Sequence, residues 1–177
     1  MKKSAFTMME LIFVIIVIGI LSAVFIPRFG QNKLSQAANQ LISNIRYTQH
    51  LALMDDEYNA TNPNWYQNRW AVNLCQAKYN IKSGTRIALD PLTKEFMDGN
   101  STKQYDLTTK YSSTLSTSAN CRIAFDHLGR PYNFTAAGNP ASPTDGLNHS
   151  ATDINITNGA DSLIIRVEAE TGYVHLL

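Results

Sequence analysis

The chain has 177 residues, 44% of them hydrophobic, and its 15 Lys and Arg nearly balance its 14 Asp and Glu. This length and composition favour one folded domain with room for a hydrophobic core. The near-neutral charge argues against a nucleic-acid-binding protein that depends on a global basic field. Charge is unevenly distributed at the N-terminus, because Lys2 and Lys3 precede an uncharged apolar run from Leu11 to Ile26.

The apolar N-terminal run predicts a membrane helix. Phe6 to Ile26 is 21 residues, roughly 31 Å as a helix and enough to cross a bilayer. Lys2 and Lys3 favour a cytoplasmic N-terminus and an external C-terminal part. A removed secretory signal would need a small-residue cleavage site, which residues 24–29 do not offer. A plain anchor would leave Glu10 unexplained, and an ionisable group at membrane depth predicts a functional role.

The first residues carry a family resemblance. The segment Lys2-Lys3-Ser4-Ala5-Phe6-Thr7-Met8-Met9-Glu10-Leu11-Ile12 resembles the class III leader of type IV pilins and type II secretion pseudopilins. The resemblance implies cleavage between Ala5 and Phe6, N-methylation of Phe6 and retention of Glu10. Pro27 matches the proline that ends the first membrane stretch, where we expect a helix kink. The family usually has Gly at the position of Ala5, and we expect the small alanine to be accepted.

The expected role of Glu10 is filament assembly. In a packed filament, the amine of Phe6 can face Glu10 of a neighbouring subunit, where a low dielectric strengthens the attraction. Breaking a buried ion pair typically costs roughly 3–5 kcal/mol. Glu10 would then set the axial register of the subunits. The alternative is that Glu10 reaches the lipid headgroups and makes no specific contact.

A second, amphipathic helix is predicted over residues 28–54. Its apolar stripe recurs at spacings of three and four residues and comprises Leu34, Ala38, Leu41, Ile45, Thr48 and Ala52. Such a stripe needs a sheet or neighbouring subunits to cover it. Gly19 and Pro27 are the expected weak points along the two helical segments.

Short strands are predicted after a polar loop at residues 55–68. The predicted strands are residues 69–75, 86–89, 121–125, 131–134, 154–157, 162–167 and 172–176. Tight turns are predicted at residues 126–130 and 170–172. Two stretches rich in Ser, Thr, Asn and Gly, residues 98–118 and 135–152, predict long surface loops.

A second, shorter resemblance involves the predicted C-terminal strands. Residues 123–131, together with residues 164–167 and 171–174, look like the C-terminal sheet of minor pseudopilins of the H-like and fimbrial-T-like branch. The segment Gly129-Arg130-Pro131-Tyr132 is also similar to the Gly-Asn-Pro-Tyr of major pseudopilins. A plain β-turn at Gly129 would account for the same residues.

Cys75 and Cys121 are the two cysteines. An external, oxidising compartment favours a disulfide between them, and two buried free thiols are the alternative. The four histidines and the cysteines have no metal-ligand spacing. Asp126 beside His127 has no accompanying nucleophile motif. We therefore expect no enzyme activity, no cofactor and no metal site, and the loop acids Asp145, Asp153 and Asp161 form no recognisable calcium loop.

Five Asn-x-Ser/Thr sites occur, at Asn59, Asn100, Asn133, Asn148 and Asn155. Three of them, Asn59, Asn100 and Asn155, have an acid two residues earlier, a pattern that resembles the extended acceptor of some bacterial oligosaccharyltransferases. These three are candidate glycosylation sites. Asn100 is the first choice from the sequence because it falls in a predicted exposed loop.

The predicted fold is α+β, type IV pilin-like, with a long membrane-spanning N-terminal helix packed on an antiparallel sheet. The predicted segments are a leader (residues 1–5), a transmembrane and filament-core helix (6–27), an amphipathic helix (28–54) and a β-rich periplasmic domain (55–177). The resemblance implies a single-pass inner-membrane protein assembled into a periplasm-spanning filament.

The expected function is that of a structural subunit of a type II secretion pseudopilus or type IV pilus-like filament that drives protein secretion. The partners would be other pilin or pseudopilin subunits, the prepilin peptidase and an inner-membrane assembly platform. One alternative is a minor type IV pilin in DNA uptake or adhesion, since local Lys and Arg can still bind DNA. A signal-anchored periplasmic binding module is the other.

Overall fold

The computed structural model describes residues 7–25, 28–117, 121–134 and 138–177. The helices in these ranges are α1 (Met8–Phe25), α2 (Arg28–Met54) and α3 (Leu107–Tyr111), with short 3-10 helices at Trp65–Asn68 and Lys103–Tyr105. The strands are β1 (Ala71–Asn73), β2 (Asn80–Ser83), β3 (Arg86–Ile87), β4 (Thr114–Thr117), β5 (Arg122–Phe125), β6 (Pro131–Phe134), β7 (Thr152–Asn158), β8 (Asp161–Val167) and β9 (Val174–Leu176).

The prediction of a membrane-spanning N-terminal helix is wrong. Helix α1 has 18 residues, roughly 27 Å, which is shorter than a hydrocarbon core of about 30 Å. It begins late because the Thr7 hydroxyl accepts a hydrogen bond from the Glu10 amide (3.3 Å) and caps the first turn. In the described ranges, no helix has both the length and the apolar character needed to cross a bilayer. Phe6 and Ile26, the ends of the predicted span, lie outside the described residues.

The strands form two antiparallel sheets, so the molecule is α+β. The first sheet has the order β3-β2-β1-β5-β6, and the second has the order β4-β7-β8-β9. In the second sheet, β7 and β8 form a long hairpin that pairs Thr152 with Val167 and Asn158 with Asp161. Helix α2 contacts strands of both sheets.

Helix α2 supplies one side of the hydrophobic core. The six residues of its predicted stripe are all buried, and Ala37 and Ile42 are buried with them. The stripe packs against buried side chains of both sheets, among them Ile81, Ile123 and Ile165. The prediction of an amphipathic helix is therefore confirmed, and the sheets of the same chain cover its stripe.

Polar side chains of α2 also reach into the core. Gln40 Nε2 and Asn44 Nδ2 both donate to the hydroxyl of Tyr79, at 2.8 and 2.6 Å. Tyr79 is fully buried and packs edge-to-face on Tyr105, with ring centroids 5.7 Å apart. Burial raises the pKa of the Tyr79 hydroxyl, so it stays neutral. Gln40 and Asn44, which the sequence places beside the stripe, thus help to fix α2 on the first sheet.

All seven predicted strands overlap observed strands, but β2 and β4 are additional. The predicted loop at residues 98–118 is wrong in part, because it contains α3 and β4. Helix α3 forms where the Asp106 carboxylate accepts from the Thr108 and Thr109 amides, both at 3.1 Å. Strand β4 is a polar edge strand held against β7, which a hydrophobic pattern does not reveal. In the other predicted loop, residues 138–151 contain no helix or strand.

Two tight turns meet beside α2, at the positions predicted from the sequence. In the β5–β6 turn, the Asp126 carboxylate accepts from the amides of Leu128 (3.0 Å) and Arg130 (2.9 Å). Gln49 Nε2 donates to Gly129 O in this turn and to Thr171 O in the turn before β9, both at 2.9 Å. One side chain of α2 therefore connects a turn of each sheet.

Of the glycines in these turns, Gly172 should tolerate an added side chain least. It has a φ of +65°, and an added Cβ would lie 2.5 Å from Gly129 O and 2.7 Å from Gln49 Nε2. Gly172→Ala should lower the free energy of unfolding by roughly 2–5 kcal/mol, the sum of left-handed strain and forced overpacking. Urea unfolding followed by tryptophan fluorescence measures this change.

Gly159→Ala is the matched control for that substitution. Gly159 has a φ of +63°, but nothing lies within 4 Å of an added Cβ, so only the backbone strain of about 1–2 kcal/mol applies. Equal losses for the two variants would contradict the close packing of Gly172 on Gly129 and Gln49.

Candidate functional site: an apolar helix with one carboxylate

Helix α1 is exposed on every side along residues 8–22, the part whose side chains the structure describes. Residues 7–22 are all exposed, with exposed fractions of 68% for Phe13, 62% for Ile15 and 63% for Ile20. Consecutive residues of a helix point in different directions, so no face of this stretch is covered by the described chain. A helix that is apolar all round is normally buried, and a contiguous apolar surface of this kind indicates an interaction site.

Glu10 is the only ionisable residue among residues 7–25. Its carboxylate forms no ion pair within the described residues. It lies in the first turn of α1, where the positive end of the helix dipole favours an acid. The carboxylate is thus placed on an apolar surface without a described partner of opposite charge.

Helix capping is an alternative reason for an acid at this position. Thr7-Met8-Met9-Glu10 has the Thr-x-x-Glu spacing of a capping box, in which the Glu side chain would bond the backbone amide of Thr7. The Thr7 half of the box is present, as its hydroxyl accepts from the Glu10 amide. The Glu10 side chain makes no hydrogen bond in the described part of the chain. Capping therefore accounts for Thr7 better than for Glu10.

The hydroxyl of Ser22 has a hydrogen-bond partner within α1. Ser22 Oγ donates to Ile18 O at 2.8 Å, so this side chain needs no water and tolerates an apolar environment. Gly19 has nothing within 4 Å of an added Cβ, which leaves open space along one side of α1. These features suit close contact with another apolar helix.

Three of the predicted assembly residues cannot be placed. Ala5 and Phe6, the predicted cleavage and methylation site, lie outside the described residues. Pro27, the predicted kink, also lies outside them. Their roles stay predictions from the sequence.

The two cysteines are joined in a disulfide. Cys75 follows β1 and Cys121 precedes β5, with their Cα atoms 4.9 Å apart. The two strands are neighbours in the first sheet, with Ala71 opposite Ala124 and Asn73 opposite Arg122. The pairing therefore brings both cysteines to the same end of the sheet. The disulfide closes a loop with a sequence separation of 46 residues.

Loss of the disulfide should destabilise the domain. The Cys75→Ala, Cys121→Ala double variant should lose about 4 kcal/mol of unfolding free energy, because the loop-entropy model assigns that value to a closure of this length. Urea unfolding of the oxidised protein, the reduced protein and the double variant measures it. The reduced protein and the double variant should unfold at similar urea concentrations, and an unchanged midpoint in both would contradict the expected contribution.

The side chains of the adjacent residues Asp126 and His127 lie in different environments. The buried Asp126 carboxylate bonds Arg130 Nε at 2.8 Å and Tyr132 Oη at 3.3 Å, while His127 is exposed. Arg130 Nη2 lies 2.8 Å from Asp126 Oδ2, so the two form a structural ion pair, and hydrogen bonding with Asp126 raises the pKa of Arg130. No group of three or more His, Cys, Asp or Glu residues in the described ranges could hold a metal ion.

The candidate glycosylation sites fall in different environments. Asn59 is exposed in the loop after α2, and Asn100 is exposed in the turn before the 3-10 helix at Lys103–Tyr105. Asn155 is half-buried in β7, opposite Ser116 of β4 and Ile164 of β8. The two acceptor-type sites without a preceding acid, Asn133 and Asn148, both donate to Thr152 Oγ1.

Sequence reasoning missed one important positioning residue, Gln49. Its place beside the buried stripe of α2 marks it as near the core, but its two turn partners lie 80 and 122 residues further along the chain. No local signal predicts such contacts.

No family model matches this chain, and neither the curated proteins nor the solved structures compared with it include a match.

Proposed function

We propose that this protein is a structural subunit of a type IV pilin-like or type II secretion pseudopilus filament. The observation that carries the proposal is α1, which has no covered face along residues 7–22 although almost all of its side chains are apolar. Removing such a surface from water is strongly favourable. The partner that we propose is the same helix of other copies of this chain.

Self-association through α1 would produce a filament rather than a closed oligomer. A helix that is apolar all round can contact several neighbours at once, each through a different face. Contacts between different faces are heterologous, and they produce open helical assemblies when the rotation does not close. The domain formed by α2 and the sheets has its own core, so α1 can serve assembly while the domain folds separately.

Glu10 supplies specificity to this assembly. A carboxylate enclosed by apolar helices needs a partner of opposite charge. The resemblance of the N-terminus to the class III leader supplies one, since cleavage before Phe6 would create an amine four residues from Glu10. We propose that the amine of one subunit pairs with Glu10 of the next and fixes their register.

The disulfide supports a location outside the cytoplasm. Disulfides persist in oxidising compartments such as the bacterial periplasm and are rare in the cytosol. The pair Cys75–Cys121 therefore agrees with export of the domain, as filament assembly for protein secretion requires. Cleavage by a prepilin peptidase and recruitment by an inner-membrane assembly platform form part of the same proposal.

The charge of Glu10 is the first test. Glu10→Gln keeps the capping-box spacing, since Gln serves as well as Glu at that position, but it removes the charge. We expect assembled filaments recovered from the native host to fall roughly a hundredfold in Glu10→Gln and Glu10→Ala, as a lost buried pair costs about 3 kcal/mol or more. Quantitative blotting of sheared and pelleted filaments measures the fall.

A matched control separates this effect from a general loss of negative charge. Glu95 is exposed on the domain, and Glu95→Gln should leave assembly unchanged. Intact mass should show that each variant begins at methylated Phe6, so that cleavage and assembly are read separately. Filaments of Glu10→Gln at the level of the unmodified chain would refute the proposed pairing.

A further inference from the structure

The five Asn-x-Ser/Thr sites have no role in the proposed filament assembly. Asp and Glu make up only 14 of 177 residues, so fewer than one of five sites would have an acid two residues earlier by chance. Three sites have one. The structure adds an independent criterion, because an acceptor must lie in an accessible segment of the folded domain.

Exposure divides the five sites. Asn59 and Asn100 are exposed, Asn133 and Asn155 are half-buried in strands, and Asn148 is buried. Both exposed sites have the preceding acid. Accessibility and acid placement therefore coincide at Asn59 and Asn100, whereas modification of Asn155 would require the β4–β7–β8 pairing to open.

The segment around Asn59 is the more accessible of the two. Residues 58–61 are all exposed, and the hydrogen bonds described for their backbone stay within residues 56–62. The Asn100 turn is attached to the first sheet instead, since Asp98 bridges Asn80 and the Gly99 amide donates to Tyr79 O. Local opening costs least where backbone contacts are local, so the Asn59 loop can enter an enzyme more easily.

The side chain of Asn59 is arranged with its amide nitrogen available. The Asn59 Oδ1 atom accepts from the Thr61 amide at 2.9 Å and from the Thr61 hydroxyl at 2.7 Å. The nitrogen Nδ2 makes no hydrogen bond to any described residue. Thr61, the third residue of the motif, thus orients the carboxamide through its oxygen.

The site also lies far from the assembly helix. Helix α2 has 27 residues and is therefore about 40 Å long, and the Asn59 loop follows its C-terminal end. A bulky group at Asn59 would be separated from α1 by the length of α2. Modification is thus compatible with packing of α1 against other copies.

We propose that Asn59 is the acceptor of an N-linked oligosaccharide. The Asn59 nitrogen forms a bond to the anomeric carbon of a sugar carried on a polyprenyl pyrophosphate. The bond from that carbon to the pyrophosphate oxygen breaks, the lipid pyrophosphate leaves with the electron pair, and the nitrogen gives one proton to a base of the transferring enzyme. The proposal rests on the proposed function only in that the domain must be exported.

The test is the mass of the full chain purified from its native host, followed by glycopeptide mapping. The chain should carry the mass of one oligosaccharide on the peptide that contains Asn59. Asn59→Gln and Thr61→Ala should remove that mass, whereas Thr61→Ser should keep it because the hydroxyl remains. Asn100→Gln and Asn155→Gln should leave it in place.

The role of the preceding acid needs its own control. Glu57 forms an ion pair with Arg86 and accepts from Ser83 Oγ at 2.7 Å, so Glu57→Gln alters the loop as well as the motif. Arg86→Gln removes the same ion pair, together with the pair between Arg86 and Asp55, but keeps the acid. Occupancy should fall severalfold in Glu57→Gln and stay near the unmodified chain's value in Arg86→Gln, and an equal fall in both would show that the acid acts only through the ion pair.

The outcomes separate this proposal from filament assembly. An exported chain with an oxidised disulfide and no added sugar overturns the modification, and so does sugar found only on Asn100 or Asn155. Sugar on Asn59 of a chain that forms no filaments supports the modification and overturns the proposed function. A chain that remains reduced, unmodified and unassembled overturns both.

Discussion

The uncovered apolar surface of α1 is the constraint on which the account of this protein depends. Residues 8–22 belong to a helix and have no buried side, and water is an unfavourable environment for such a surface. The domain does not need this surface for its own stability, because α2 and the two sheets bury a complete core. The chain therefore separates the residues that fold the domain from those that await a partner.

Helix α2 organises the folded part. Its apolar stripe packs against both sheets. Its polar side chains hydrogen-bond to backbone carbonyl groups of the sheets and turns. Gln49 connects the β5–β6 turn with the turn before β9, and Arg46 Nη2 donates to Val174 O at 2.6 Å in the last strand. One helix thus sets the relation between the sheets, while the disulfide fixes the end of the first sheet.

The parts of the fold that could be predicted are those with a local physical signal. The stripe of α2 has helical periodicity, and the turn at Gly129 has an Asp, a Gly and strand residues in the expected order, so both were found. Strand β4 and helix α3 were missed because their residues are mostly polar and their stability comes from β7 and from the Asp106 cap. The length of α1 was overestimated because apolar composition does not show where a helix begins, whereas the Thr7 cap does. Asn59, Asn100 and Asn155 share the same acid-containing motif, and the sequence favours Asn100, but only the strand pairing and the turn contacts show that the Asn59 loop is the most accessible.

The most direct test of self-association is site-specific photo-crosslinking in the native host. A photoreactive residue in place of Ile15, which is 62% exposed on α1, is compared with one in place of Leu92, which is 90% exposed on the domain. Mass spectrometry of the products identifies the crosslinked partner. The account predicts that the Ile15 position crosslinks to α1 of a second copy and that the Leu92 position does not. Failure of the Ile15 position to reach another copy would contradict the claim that α1 is covered by self-association.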